Sequence, residues 1–381
     1  MPPMAGKVWL HVGCPKTGTG YLQGIVWSNR DALRQQGLLL PGTSEHDHYQ
    51  ASVYVRGAHA KRARADDIEA TWRRLVDEVH RTDRDVLISH EVFANASARQ
   101  ARFTIDALGG AETHVIITAR DLARQIPASW QQGVKQGYTM PLEEFVRDVV
   151  VRGRGPQGRI FWKLHDVADL CGRWGRHLPA SHVHVVTVPP KGADPALLWK
   201  RFASVLGVDA DSVSLDQTRS NESLGRVEVE LLRRLNARRG DRFPSFDDHL
   251  WFRDLLANQM LAKRPDKEKF AIDPAVHEWV IRASRRAVQE LRRPGYDVVG
   301  DLAELIPADQ PERGGDPSQA TEDELLMSAV DTILDLLYVH RRTVRRHHAR
   351  QRRSAQERDA GSPAVRRSPQ IRAAWSAAAE R

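Results

Sequence analysis

Residues 8–22, Val-Trp-Leu-His-Val-Gly-Cys-Pro-Lys-Thr-Gly-Thr-Gly-Tyr-Leu, constrain this chain most. An apolar run from Val8 to Val12 stops at Gly13. A compact loop, Cys14 to Gly20, follows, and an amphipathic pattern begins at Tyr21. Strand, glycine-rich loop and helix in that order hold a phosphate, because loop N–H groups point inward and the helix N-terminus favours negative charge. A nucleoside-triphosphate loop reads G-x-x-x-x-G-K-[ST], with its lysine after the second glycine. Gly13 and Gly18 keep that glycine spacing, but Thr19 follows Gly18 and the lysine comes earlier, at Lys16. The pattern describes a phosphate loop that departs from the ATP and GTP type.

A second charged strand end lies at Thr113 to Asp121, a β-branched run closing on Arg120-Asp121. A guanidinium can engage a phosphate through two parallel hydrogen bonds. The alternative for Arg120 is an ion pair with Asp121. A third strand, from Asp85, runs into Ser89-His90-Glu91. Strands are expected at 8–13, 85–90, 113–119 and 183–188, with a short one at 37–40. Helices are expected near 19–36, 66–82, 121–136, 163–177 and 195–206. That alternation predicts an α/β fold: a parallel sheet with helices on both faces, whose ligands bind beyond the carboxyl ends of the strands. Lys16, His90, Glu91 and Arg120 all fall just past such ends. Residues 222–293 read as mostly helical, a cap over the site.

Pro15-Lys16-Thr17-Gly18-Thr19, followed by Tyr21-Leu22, resembles the 5′-phosphosulfate loop of the sulfotransferases. Those enzymes use 3′-phosphoadenosine 5′-phosphosulfate (PAPS), release 3′,5′-diphosphoadenosine (PAP), and share a P-loop-like fold with the nucleoside kinases. The resemblance extends over about residues 6–310, through Phe161-Trp162-Lys163, Val183 to Pro190, Leu197 to Phe202 and Arg219 to Gly225, to a bacterial group typical of actinobacteria. It implies that Pro15, Lys16, Thr17, Gly18, Thr19, Gly20 and Tyr21 surround the 5′-phosphosulfate. It implies that Arg120 holds the 3′-phosphate and that Arg219 belongs to a loop covering the nucleotide. The family serine eight residues after that arginine falls here on Ala128, so Ser129 is the nearest candidate. Gly20 replaces a common Thr or Ser and offers only its N–H. For the general base the resemblance leaves two candidates: Glu91, by analogy with the glycosaminoglycan-type enzymes, and His90, by analogy with the cytosolic small-molecule enzymes. Lys16 would stabilise the leaving phosphate. The implied acceptor is a hydroxyl or amine of a small molecule, glycolipid or carbohydrate. Sulfuryl transfer requires no magnesium, and no metal ligand is expected. The competing readings are a nucleotide-dependent kinase and a non-catalytic nucleotide-binding scaffold.

Charge is unevenly distributed. Residues 340–381 carry 12 Arg, no Lys and three acids, a net of +9 against +8 for the 381-residue chain. The body before residue 340 is therefore about neutral, and the basic character belongs to the tail. Such a tail suits an anionic membrane surface. Its single aromatic, Trp375, argues against base stacking and specific nucleic-acid binding. Two cysteines, Cys14 and Cys171, exclude a disulfide framework and a cysteine zinc site. Cys14 is expected as a variable loop side chain, His11 as a packed strand histidine, and Trp130 and Trp174 as packing residues. No apolar run or leader pattern stands out, so a soluble cytoplasmic protein is expected. The expected organisation is an α/β domain over 1–310, a Pro/Gly-rich linker over 311–320, an amphipathic helix over 321–351 that could support a homodimer, and a disordered basic tail over 352–381.

Overall fold

The computed structural model describes residues 6–60, 65–109, 112–216, 223–242, 250–311 and 313–361. Six strands form one sheet: β1 Lys7–Gly13, β2 Leu38–Leu39, β3 Asp85–Ser89, β4 Glu112–Ala119, β5 Val183–Thr187 and β6 Asp297–Val299. Their order is β2-β3-β1-β4-β5-β6, and every neighbouring pair is parallel. After β1 the chain builds one half of the sheet, then crosses to build the other half from β4. The change of direction falls beside β1, where its carboxyl end meets those of β3 and β4. Open α/β sheets place their ligands at such a point.

The β1 sequence explains why it is central. Val8, Leu10 and Val12 enter one buried cluster, while Trp9 enters the cluster on the opposite face. Side chains alternate across a strand, so a strand buried on both faces must be apolar at nearly every position. On the first face lie Leu75 and Val79 of helix Ala65–His80, Leu170 and Trp174 of helix Val167–Gly175, and Val288 and Leu291 of helix His277–Arg292. The second face carries Leu22 and Ile25 of helix Thr19–Ser28, with Trp199 and Phe202 of helix Leu197–Leu206. Trp130 and Trp174 are fully buried; Trp174 packs edge-on to Phe93, and Trp130 Nε1 donates to Met140 O at 2.9 Å.

The expected α/β fold with a parallel sheet is observed, with local corrections. The helix expected over 19–36 is two, Thr19–Ser28 and Arg30–Gln35. Asn29 separates them, donating from Nδ2 to Ile25 O and accepting from Ser214 N–H. The helix expected over 163–177 is also two, Gly155–His165 and Val167–Gly175. Asp166 leaves helical geometry there and caps the second by accepting from Asp169 N–H. Helices Glu45–Val55 and Ala98–Ala107 and strand β6 were not expected. In the region read as a cap, Arg226–Arg239 does pack on helix Leu122–Lys135, through Asn236 Nδ2 to Val134 O at 2.7 Å. His277–Arg292 instead closes the sheet's first face.

The chain divides into a body, Met1–Leu325, and a second unit, Leu326–Arg381. Residues 313–320, expected in a linker, belong to the body: Gly315 N–H donates to Lys269 O at 3.0 Å, and Pro317 and Ala320 are buried. One continuous helix, Glu322–Gly361, replaces the expected boundary at 351. In the second unit it exposes Leu326, Ile333 and Leu337 from the expected apolar stripe. Residues 362–381 of the expected tail lie outside the described residues. Among the described residues, no helix is long and apolar enough to cross a membrane.

Arg201 clasps Glu304 through two hydrogen bonds, at 2.7 and 2.8 Å, and Thr187 at the end of β5 adds a third. Burial would raise the Glu304 carboxyl, but Arg201 and Thr187 outweigh it and hold it below its ordinary value. The clasp therefore contributes fully above the ordinary carboxylate range and is lost as pH falls through the lowered value. Glu304→Ala should lower unfolding free energy by about 2–3 kcal/mol at pH 7, with the difference from wild type shrinking in acid. Denaturant titrations at both pH values check this.

Candidate functional site

The loop between β1 and helix Thr19–Ser28 is stitched to β4. Cys14 N–H donates to Thr118 O at 2.9 Å, and Thr118 Oγ1 donates to Gly13 O at 3.2 Å. The Thr17 hydroxyl bonds to Cys14 O and meets the Thr118 hydroxyl. Cys14 is therefore no loop-surface side chain: it is buried in the core, which pushes its thiol up to about 12. Lys16 adopts a left-handed conformation, φ +64°, at the loop's tip. Gly18 caps the helix at φ +84° and offers no side-chain cap to the first turn's N–H groups. Such a first turn leaves donors facing the loop. A Cβ on Gly18 would stand 2.5 Å from Leu198 Cδ2, so the position needs glycine for space as well as conformation.

Arg120 leaves the end of β4 and donates from Nη1 to Lys16 O at 3.2 Å. The alternative partner, Asp121, caps the next helix by accepting from Arg124 N–H and pairs with the Arg124 guanidinium. That helix, Leu122–Lys135, lays polar residues along the loop. Gln125 Nε2 donates to Pro15 O at 2.8 Å, and Gln132 Oε1 accepts from Lys16 Nζ at 2.7 Å. Ser129 Oγ lies 2.9 Å from His165 Nε2, so its hydroxyl is engaged by that ring. Tyr21 OH donates to Pro195 O at 3.1 Å, bringing the start of the loop helix to the segment after β5. Arg219 lies outside the described residues.

The end of β3 separates the two base candidates. His90 Nδ1 accepts from Val92 N–H at 3.1 Å, capping the short 3-10 helix Glu91–Asn95. A neutral ring with Nδ1 accepting carries its proton on Nε2 and can only donate there. Glu91 accepts from Gln23 Nε2 at 3.1 Å. Burial would raise its carboxyl, but His90, a backbone N–H, Gln23 and His11 outweigh that and hold it below the ordinary range. Glu91 is thus an ionised acceptor at neutral pH. His11 is fully buried between Ser89 Oγ, at 2.8 Å, and Thr118 Oγ1, at 3.3 Å, as expected of a packed strand histidine.

The site is cationic. Burial lowers the Lys16 ammonium's pKa, with Glu91 opposing and Arg120 adding to the shift. Lys135, which no motif marks, is pushed down to about 8 by burial and by facing Lys16, Lys267 and Arg253. Beyond Arg120 opens a cavity of about 420 Å³ whose lining includes Trp162, Trp279, Arg282, Ser284 and Arg286. The Ser284 hydroxyl is buried there and has no hydrogen-bond partner among the described residues. The arrangement is suited to a ligand with two or more anionic groups, one on the loop and another at Arg120.

No protein-family model matches the chain, and no curated protein matches its sequence. Among solved structures it is similar to a sulfotransferase from Alicyclobacillus acidocaldarius, at 18% identity and a TM-score of 0.39. That likeness covers 61% of this chain and 94% of the other. A likeness so distant assigns no activity, and the functional reading rests on the site itself.

An anion entering the cation cluster should raise the pKa of Lys135, so binding at pH 8 should take up protons. Calorimetry with sulfate, which does not titrate at that pH, in two buffers of different ionisation enthalpy should show this uptake, and Lys135→Met should reduce it. A separate acid sensitivity follows from three buried neutral rings. Burial lowers His11 and His48 to about 4 and His165 to about 3. The unfolded chain binds more protons below its ordinary histidine value, so stability should fall as pH drops from about 6.5 toward 4. Denaturant midpoints across that range check it.

Proposed function

We propose that this protein is a PAPS-dependent sulfotransferase acting on a hydroxyl or amine of a small-molecule, glycolipid or carbohydrate acceptor. The observation that carries this reading is the meeting of Lys16 and Arg120 on one backbone: the Arg120 guanidinium bonds to the carbonyl of the loop lysine itself. Arg120 is thereby fixed relative to the loop, and the two groups would offer one position for a 5′-phosphate and another for a 3′-phosphate. The loop N–H groups and Lys16 would hold the 5′-phosphosulfate. Arg120 would hold the 3′-phosphate at the mouth of the cavity. Because Gln125 Nε2 donates to His165 Nδ1, the ring donates from Nε2 to Ser129 Oγ, and the Ser129 hydroxyl hydrogen would remain available to the 3′-phosphate.

The donor supplies an activated sulfuryl group. Glu91 would take the proton of the acceptor hydroxyl, leaving that oxygen to replace the 5′-phosphate oxygen on the donor's sulfur. Lys16, oriented by Gln132, would stabilise the leaving 5′-phosphate oxygen, where a preorganised cation is most effective. His90 cannot accept that proton while Nδ1 caps Val92, so its part is to fix the turn on which Glu91 stands. Assignment of the base to Glu91 thus rests on hydrogen-bond bookkeeping as well as on resemblance.

Calorimetric titration with PAP should show micromolar binding without metal and none for ATP with magnesium. Lys16→Ala and Arg120→Ala should each weaken PAP binding by about tenfold or more, the scale of a charge-assisted bond. Folded protein that ignores PAP, or variants that bind it as wild type does, would contradict the proposal. With a phenolic acceptor, Glu91→Gln should cut turnover by about 10²–10⁴ while leaving PAP affinity intact.

A further inference from the structure

The far edge of the sheet, at the amino ends of β4 and β5, carries a second cluster unrelated to the proposed transfer. Glu112 Oε1 lies 2.8 Å from His114 Nε2 and 3.7 Å from His182 Nε2. The three ligand atoms all fall within 4.8 Å of one another. The rings of His114 and His182 stack at 4.1 Å, and Trp9 lies against His114 at 4.4 Å.

The hydrogen bonds behind the cluster decide which nitrogens carry protons. His182 Nδ1 lies 3.1 Å from Thr113 O, a pure acceptor, so Nδ1 carries the hydrogen and Nε2 presents a lone pair. His184 Nδ1 lies 2.6 Å from Asp297 Oδ2, which places a hydrogen on Nδ1 and, in the neutral ring, a lone pair on Nε2. His114 Nδ1 lies 2.9 Å from that nitrogen and must donate to it. His114 Nε2 is then also a lone pair, aimed at a carboxylate oxygen. With neutral rings, three acceptors converge with no hydrogen between them. Such a contact needs positive charge, supplied by a metal ion among the three ligand atoms or by one added proton on the chain from Asp297 through His184 and His114 to Glu112.

We propose that Glu112, His114 and His182 bind a divalent transition-metal ion, with zinc as the commonest ion for this donor set. Two imidazoles and a carboxylate suit zinc, with water in the fourth position. Bonds of about 2.0–2.2 Å in a tetrahedron place ligand atoms about 3.3 Å apart, between the two separations found here. The outer contacts have the form that metal-bound histidines need: a backbone carbonyl behind His182, and His184 with Asp297 behind His114. The ion would join β4 to the turn before β5 and, through Asp297, to β6. Lys7 Nζ, 3.9 Å from Glu112 Oε1, is the competing cation. The sequence predicts no metal, since sulfuryl transfer needs no magnesium and two cysteines give no zinc spacing; these ligands meet only where β4 lies beside the turn that leads into β5.

The test is zinc titration of the full chain, stripped with chelator and dialysed, using a competing fluorescent indicator. Wild type should bind one equivalent at micromolar affinity or tighter that both Glu112→Gln and His182→Ala weaken at least tenfold. Both side chains are partly exposed, so the variants should keep the wild-type circular dichroism. Zinc should raise the melting temperature of wild type and of neither variant. Lys7→Met should tighten binding. Histidines outside the cluster bind zinc independently of Glu112, so zinc uptake unchanged in both variants would overturn the proposal. So would the absence of binding at micromolar zinc, with ring-nitrogen NMR showing His114 held as an imidazolium by Glu112.

Discussion

The stitch between the ends of β1 and β4 governs everything at the site. Cys14 N–H on Thr118 O, Thr118 Oγ1 on Gly13 O and the Thr17 hydroxyl between them turn two strand ends into one rigid corner. Because Thr118 is two residues from Arg120, fixing the loop to Thr118 also fixes the distance from Lys16 to Arg120. All these groups are buried, where an unmade hydrogen bond is costly, so the corner has few alternatives. Gly18 completes it by letting the chain enter the helix against Leu198.

On that corner the protein gathers charges that repel. Burial first, and then Arg120 on Lys16 and Lys16 on Lys135, lower the two ammonium pKa values. A scaffold holds like charges together usefully when a ligand of opposite charge relieves them. Glu91 stands at the same place, its carboxylate hydrogen-bonded by Gln23 Nε2. It is therefore available to an acceptor's proton and is not consumed as a counter-ion for Lys16, whose Nζ bonds to Gln132 instead.

Much of this was legible in the sequence, and the reasons are local. β1, β3, β4 and β5 announce themselves because burial on both faces forces continuous apolar runs. Lys16 and Arg120 are legible because loop glycines and a charged strand end have fixed spacings. The breaks at Asn29 and Asp166 are hidden, since the apolar period carries on through both while a side-chain hydrogen bond ends the helix. β6 is three residues long and takes its order from β5, so no periodicity reveals it. Gln132 and Lys135 enter the site through the placement of helix Leu122–Lys135, and His114 meets His182 through the pairing of β4 with the chain leading into β5. Those are tertiary facts, invisible to spacing.

The account stands on a nucleotide spanning the corner from the Lys16 loop to Arg120. A crystal structure of the protein soaked with 3′,5′-diphosphoadenosine tests that most directly. The account predicts the 5′-phosphate on the N–H groups of the loop and on Lys16, with the 3′-phosphate on Arg120. An empty loop under saturating nucleotide, or a nucleotide bound elsewhere with Arg120 untouched, would contradict it.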